Sequence, residues 1–354
     1  MTALKGIGAI SIRRILDSLD SPEQFFYLKS IDIQHLTGLS ARTISNCKRD
    51  DALQKADKII DQHLKNNVKC ITIEDNQYPE SLIHCPDAPV VIYSIGSSNL
   101  NETRSVSIVG TRKNSAYGER VTKKIVDDLS GEIDLIVSGL AEGIDTIAHT
   151  SSIEKNIKTY AVLGHGLDRV YPKSNSYLAR KIIEKGGALI SEFPFGVKPD
   201  RENFPKRNRI VAGMSNATIV VESSSKGGAL ITARLALDYN RDVFAVPGPL
   251  FKEASIGTNN LIKNNGASLF SDTQQFLIEL GWKTRDALPR QGSLPISLNE
   301  TQESLLKLIR EKGPISIDNI SRCLNLSISK LNTELLSLEL RGVINCLPGC
   351  NYSV

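Results

Sequence analysis

The residues best suited to chemistry in this chain are cations that follow short apolar segments. In the segment from Val106 to Arg112, a β-branched run ends at Gly110, Thr111 and Arg112, and a helical pattern follows. A strand that ends in such a turn directs backbone N–H groups and a cation to one point. That point suits an anion, most often a phosphate. In isolation Arg112 would be read as a surface cation, but its place after the Gly-Thr turn favours phosphate binding.

Further cations follow the later apolar segments. Lys173 stands in a Tyr-Pro-Lys loop, and Lys226 precedes Gly227 and Gly228. The densest group is the segment 204–210, which reads Phe-Pro-Lys-Arg-Asn-Arg-Ile. Arginine and asparagine can bind phosphates or base edges, and an exposed phenylalanine can stack on an unpaired base. The alternative is that the apolar residues are core and one arginine is in a buried ion pair, so we expect a mixture with at least one structural arginine.

Other kinds of site have weaker support. The first strand lacks a dinucleotide G-x-G-x-x-G, and the chain has no G-x-x-x-x-G-K-[ST] for an ordinary NTPase. Asp145 and His149 lie four apart on one helix, but no third metal ligand accompanies them. Two S-x-x-K matches, Ser223–Lys226 and Ser327–Lys330, lack the companion motifs of acylating enzymes. The sequence therefore predicts a binding protein, with no catalytic residues, metal or cofactor.

The elements that must position these residues are short apolar runs separated by helical patterns. The runs are Val106–Val109, Leu135–Val137, Tyr160–Leu163, Ala188–Ile190, Thr218–Val221 and Val243–Val246. Continuous apolar runs of this kind predict parallel strands buried on both faces, hence a doubly wound, mainly parallel α/β sheet of extended Rossmann-like type. In such a fold the carboxyl ends of the strands form one crevice, and ligands bind there.

The 354-residue chain divides into four predicted parts. Residues 1–67 read as a helical domain, SAM-like or helix–hairpin–helix, with glycine hairpins at Lys5–Gly8 and Leu36–Ser40. Such hairpins can present amides to DNA phosphates, although a small interaction module is at least as good a reading. Residues 68–283 form the Rossmann-like domain, and strands at Cys70–Ile73, Tyr78–Pro79 and Pro89–Tyr93 extend its sheet.

Residues 284–297 read as a linker, because Pro289, Gly292 and Pro295 stand among polar residues. Three helical patterns and a hairpin follow over 298–354, which predicts a winged helix. Its presumptive recognition helix offers Lys330 and Arg341 against Glu334 and Glu339. That balance is poor for phosphate contact, so partner binding is an equal alternative to reading DNA.

Composition sets outer limits on function. A net charge of +4 permits nucleic-acid binding without arguing for it. Six scattered cysteines and the lack of a signal peptide or long apolar span predict a reduced, cytoplasmic protein.

Seven of these segments occur in the order found in the DprA/Smf DNA-processing proteins, and the chain resembles that family across residues 70 to 272. The segments are Val109–Arg112, Ser138–Asp145, Tyr171–Lys173, Phe204–Ile210, Ser225–Leu230, Val246–Gly248 and Gly257–Asn259. The chain departs from the family pattern at His165, where a smaller residue is usual.

The resemblance implies a single-stranded DNA-binding protein that protects incoming DNA and loads the RecA recombinase in natural transformation and recombination. It implies DNA contacts from Gly110, Thr111, Arg112, Ser138, Gly139, Lys173, Phe204, Arg207, Asn208, Arg209, Lys226, Gly227 and Gly228. It also implies a homodimer formed through Leu261, Ile262, Leu269 and Phe270.

Two alternatives stay open. The first is a nucleotide-processing hydrolase similar to the lysine-decarboxylase-like phosphoribohydrolases, because Glu222 precedes Gly227 and Gly228. Release of free base from nucleoside monophosphates would support it. The second is a structural RecA adaptor, which would not bind DNA alone.

Overall fold

A computed structural model describes residues 1–284, 298–340, 343–347 and 351–353. The chain forms two compact units, Met1–Thr284 and Arg285–Val354. The predicted linker, 284–297, lies outside the described residues except for Thr284. No helix in the described ranges is both long and apolar enough to cross a membrane.

The first unit begins with five helices, which agrees with the predicted helical segment. They are α1 (Ala9–Ser18), α2 (Gln24–Tyr27), α3 (Ser30–Thr37), α4 (Ala41–Asn46) and α5 (Arg49–Lys65). Gly38 ends α3 with a left-handed φ of 66°, and the Ser40 side chain caps α4. Leu36–Ser40 is thus a turn between two helices, whereas Lys5–Gly8 precedes the first helix of the chain. The more specific SAM-like assignment stays a prediction.

A nine-stranded sheet forms the centre of this unit. Its strands are β1 (Lys69–Thr72), β2 (Val91–Gly96), β3 (Ser105–Val109), β4 (Leu135–Ser138), β5 (Lys158–Leu163), β6 (Ala188–Ser191), β7 (Ala217–Val220), β8 (Asp242–Ala245) and β9 (Ser268–Leu269). They lie in the order β1-β2-β6-β5-β4-β3-β7-β8-β9. The strands β3 to β9 run parallel, and β2 joins β6 antiparallel. The predicted doubly wound sheet is confirmed.

The early residues extend one edge of the sheet, as predicted, but the assignment of Tyr78–Pro79 to a strand is wrong. Pro79 instead precedes a short helix. Tyr78 is buried, and its hydroxyl donates to the Pro89 carbonyl. An aromatic residue beside a proline has the composition of a strand end, whereas here it anchors a turn.

Helices cover both faces of the sheet. They are α6 (Glu80–Ile83), α7 (Ala116–Asp128), α8 (Ile144–Glu154), α9 (Ser176–Glu184), α10 (Asn203–Gly213), α11 (Ala229–Asp238), α12 (Glu253–Lys263) and α13 (Thr273–Glu279). The neighbouring strand residues Ile136 and Val137 belong to separate buried clusters, one on each face. Burial on both faces explains why the strands read as continuous apolar runs.

The strand order places a switch point beside β3. The chain passes from β3 to β4 on one side, and β7 occupies the other side. At such a point the connections leave in opposite directions and open a crevice beyond the carboxyl ends of the strands. The Gly110–Arg112 turn follows β3 and the Ser223–Gly228 segment follows β7, so both lie at this crevice.

The second unit has winged-helix architecture, as predicted. Its elements are α14 (Glu300–Lys312), β10 (Ile315–Ser316), α15 (Ile317–Leu324), α16 (Ile328–Leu340), β11 (Asn345–Leu347) and β12 (Asn351–Ser353). The three strands pair in the order β10-β12-β11. On α16, Lys330 is exposed and Glu334 accepts a hydrogen bond from Gln302 at 2.8 Å. Arg341 lies outside the described residues.

Candidate nucleic-acid interface

A cavity of about 870 Å³ opens at the switch point. The turn after β3 forms one part of its wall, and the first turns of α10 and α11 form another. Of the predicted DNA-binding residues, nine line this cavity. They are Gly110, Thr111, Arg112, Gly139, Phe204, Arg207, Asn208, Gly227 and Gly228.

An exposed arginine and two aromatic rings form one side of the mouth. The Arg112 guanidinium lies 5.1 Å from the centre of the Phe204 ring. The rings of Phe204 and Tyr171 have centroids 6.0 Å apart and are tilted by 34°. Arg112 is in no ion pair with a carboxylate of the described chain. We call Arg112, Phe204 and Tyr171 the rim; it offers a positive charge and aromatic faces to a ligand.

Two further cations line the cavity that were not singled out in the sequence. Lys113 and Arg201 are both exposed and both contribute to the wall. Opposite charge comes from Glu253, whose side chain is exposed in the same wall. Lys113 directly follows Arg112, so its position in the sequence already pointed to the cavity. Arg201 stands in an irregular loop, and no motif there indicates a binding role. The excess of positive charge favours an anionic ligand.

The first residues of α11 form part of the wall. Gly228 precedes the helix and gives it no side-chain cap, and Ala229 and Thr232 line the cavity. The N–H groups of Leu230 and Ile231 already donate to the carbonyls of Gly227 and Gly228 at 3.1 Å, so the helix start contributes the partial positive charge of its dipole. Asn208 makes a long contact to the Gly228 carbonyl, 3.5 Å, and remains available as a donor.

Lys173 and Lys226 lie at the edge of the cavity rather than in its wall. Lys173 begins a short 3₁₀ helix two residues after Tyr171, and Lys226 directly precedes Gly227. Both side chains are exposed, and neither is in an ion pair with a described residue. They are placed to meet a ligand that extends beyond the cavity.

The bottom of the cavity is built differently. Arg207 is 4% exposed, and its Nη1 donates to the Val162 carbonyl at 2.6 Å. Burial lowers the pKa of Arg207 to about 10, against the attraction of Asp145. A Cβ at position 139 would overlap the Arg207 guanidinium, so any larger residue there would have to displace that side chain. Arg207 is therefore chiefly structural, which accords with the expectation of at least one such arginine.

Asp145 organises the loop between β4 and α8. Its Oδ2 accepts from the N–H groups of Gly139 at 3.1 Å and Ala141 at 3.3 Å. Burial raises the pKa of the Asp145 carboxyl, and the Arg207 charge opposes that rise. The amides of this loop are thus bound inside the protein. The Gly139 and Ala141 N–H groups are therefore not available to a phosphate.

His149 lies one turn further along α8 and is fully buried. The Thr159 hydroxyl donates to the Ile136 carbonyl, so the His149 Nδ1–H donates to Thr159 Oγ1 at 2.7 Å. Burial, helped by the Arg207 charge, lowers the pKa of His149 to about 3. The imidazole is therefore neutral. We call Asp145, His149 and Arg207 the floor.

Two of the predicted DNA-binding residues, Ser138 and Arg209, lie away from the cavity. Ser138 is fully buried, and its hydroxyl donates to the Ile108 carbonyl at 2.6 Å. Arg209 lies on the far side of α10 in an ion pair with Glu192. Both side chains hold the fold together, and neither lines the switch-point cavity.

Glu222, the residue behind the hydrolase alternative, is also engaged. It is buried, and its carboxylate accepts from the backbone N–H of Ser115 at 2.9 Å and from the Ser115 hydroxyl. It braces the start of α7 and is absent from the cavity wall.

Comparison with known proteins gives two family matches. Residues 69–281 match the model of DNA recombination-mediator protein A, and residues 289–350 match the DprA winged helix domain. Protein Smf of Synechocystis is 33% identical over 99% of this chain and 96% of its own length.

Two solved structures resemble the chain. One is DNA processing protein A from Streptococcus pneumoniae, which is 34% identical with a TM-score of 0.60 and covers 77% of this chain and 98% of its own. The other, from Helicobacter pylori, was described for its single-stranded DNA binding mode. It is 29% identical with a TM-score of 0.55, and covers 60% of this chain and 95% of its own.

Proposed function

Since the chain belongs to the DNA recombination-mediator protein A family, we propose that its switch-point cavity binds the backbone and bases of single-stranded DNA. The observation that carries the proposal is the rim: Arg112 lies over the Phe204 ring, with Tyr171 beside it and no carboxylate paired to the guanidinium. A cation and an aromatic face at one point match a phosphate and an unstacked base.

The rim also favours single strands over duplex. A base can lie flat on Phe204 or Tyr171 only when it has left its stack, and unpaired strands offer such bases at little cost. The relative from Helicobacter pylori, which carries a single-stranded DNA binding mode in its description, supports the same substrate class.

The test is the double variant Arg112→Ala/Lys173→Ala. Both side chains are exposed and neither is in an ion pair, so the fold should be unchanged. We expect most single-strand binding to be lost in a gel-shift or filter assay. Lys185→Ala, which removes an exposed lysine remote from the cavity wall, is the matched control. Unchanged binding by the double variant would end the assignment.

We further propose that the protein is a homodimer formed through the edge of the sheet. Among the described residues, β9 pairs with β8 alone, and Leu269 is 47% exposed there. Leu261 and Ile262 on α12 are half-buried, whereas Phe270 is packed in the core of its own chain and would support the surface from beneath. Sedimentation equilibrium should give twice the 38.8 kDa chain mass; a monomer at micromolar concentration would refute this.

Loading of the RecA recombinase and protection of incoming DNA complete the proposal, on the strength of the family's role in recombination mediation. The protein should raise RecA-dependent ATP hydrolysis on single strands already covered by single-strand-binding protein. It should also slow nuclease digestion of those strands. No effect in either assay would restrict the function to DNA binding.

A further inference from the structure

A second cavity, of about 980 Å³, lies beside the first within the same unit. It opens between the N-terminal helices and the sheet, and both cavities are lined by Pro205 and Ile231. These residues belong to the first turns of α10 and α11, which together form a ridge between the cavities. The two cavities are therefore adjacent parts of one surface.

The helix α10 divides its side chains between the cavities. Arg207 and Asn208 line the first, while Lys206 and Arg209 line the second. Lys55, on α5, reaches the second cavity from the N-terminal helices. Lys55 thus comes from the N-terminal helices and Lys206 from a helix that covers the sheet, and both lysines are exposed.

The carboxylates of the second cavity already have partners. Glu192 is in an ion pair with Arg209, and Asp87 accepts from the Tyr239 hydroxyl. Lys55 and Lys206 are in no ion pair with a described residue. Three cations and two carboxylates line the cavity, so its wall carries a net charge of +1, which would attract an anion.

The apolar part of the wall suits bases. Phe193 is half-buried in the wall, and on the ridge Ile231 is 40% exposed. Ile10 of α1 is 59% exposed on the opposite side. An aromatic ring and aliphatic side chains beside unpaired lysines repeat the combination found at the rim.

We propose that single-stranded DNA leaving the first cavity crosses the ridge at Pro205 and Ile231 and continues into the second, where Lys206 and Lys55 bind its phosphates. The inference rests on the proposed function. It assigns the N-terminal helices a direct share in DNA binding and makes the site longer than the switch-point cavity alone.

The test compares two oligonucleotide lengths on the full chain. A strand of about six nucleotides should fit the first cavity, while one of about twenty should reach both. With about three phosphates neutralised, the log–log salt slope should be about −2 for the short strand; two more would make it about −3.5 for the long strand. In Lys55→Ala/Lys206→Ala the slope for the long strand should fall by about 1.4, and affinity at low salt should fall about tenfold.

The controls separate this inference from the proposed function. Lys58→Ala, an exposed lysine one turn along α5 that does not line the cavity, should bind both strands like the wild type. Short-strand affinity should be unchanged in the double variant, which also shows that it folds. If the double variant binds the long strand like the wild type, the extension is refuted while the first site stands. If the wild type binds neither strand, both proposals fall.

Discussion

The rim and the floor of the switch-point cavity use the same residue types for opposite purposes. At the rim, Arg112 is exposed, lies over an aromatic ring and lacks a carboxylate partner within the described chain. On the floor, Arg207 is buried, bound to a backbone carbonyl and balanced by Asp145. An arginine without an internal partner is free to bind a ligand, while one whose charge is compensated inside maintains the shape of the site.

The floor explains why the rim keeps its geometry. Arg207 fills the space that Gly139 leaves, and Asp145 fixes the loop that follows β4. Phe204 stands one turn before Arg207 on α10, so the position of the floor arginine also sets the position of the rim ring. Variants of the floor should therefore act on stability first, and variants of the rim on binding alone.

The largest expected effect is the loss of stability when the floor arginine is replaced. Arg207→Leu leaves Asp145 buried without its counter-charge, which should lower the free energy of unfolding by about 3–5 kcal/mol. Denaturant titration measures it. Adding Asp145→Asn should restore part of the loss, because the amide oxygen can still accept from the loop N–H groups. Arg112→Ala, the rim counterpart, should change stability by less than about 0.5 kcal/mol. Equal losses of unfolding free energy for Arg207→Leu and Arg112→Ala would contradict the division between a structural arginine on the floor and a binding arginine at the rim.

Next in size is the aromatic part of the rim. Phe204→Leu keeps apolar bulk but removes the face on which a base would stack, which should cost about 1–3 kcal/mol of affinity for single-stranded DNA. Fluorescence anisotropy with a labelled oligonucleotide gives the value. Phe204→Tyr keeps the face and should bind nearly as well as the wild type. If Phe204→Leu binds single-stranded DNA as tightly as Phe204→Tyr, the ring does not contribute through base stacking.

At neutral pH the smallest effect concerns the neutral histidine of the floor, because its contribution to stability is lost only in acid. The pKa of His149 is about 3 in the folded protein against an ordinary 6.5, so between these values the unfolded chain binds one more proton. The stability that the neutral His149 contributes is fully present above pH 6.5, and it falls by about 1.4 kcal/mol per pH unit as the pH drops toward 3. When thermal melts are recorded across this pH range, the stability of His149→Gln should depend on pH less steeply by that amount. An identical pH profile would mean that the imidazole is protonated in the folded state.

Much of the fold followed from the sequence because burial on both faces leaves a plain signal. Each predicted parallel strand is found within two residues of its predicted bounds, and the glycine turns mark their ends. The Tyr78–Pro79 error had a local cause. Two residues cannot show by periodicity whether they belong to a strand or anchor a turn.

The candidate site was less predictable than the fold. Arg207 and Arg209 stand two apart in one segment, yet one lies under the cavity and the other on the far side of α10. Residues two apart on a helix point in different directions, but which direction meets the cavity depends on how α10 packs on the sheet. Arg201 was missed for a related reason, since a loop cation gains its role only from the position of the loop.

The central claim is that the rim holds unpaired DNA through charge and stacking, and a salt titration tests it most directly. Affinity should be measured for a single strand of about six nucleotides and for a stable duplex of about twenty base pairs, from low to high salt. The account predicts tighter binding of the single strand and a log–log slope of about −2, corresponding to about three neutralised phosphates. Preference for the duplex, or affinity that does not change with salt, would contradict it.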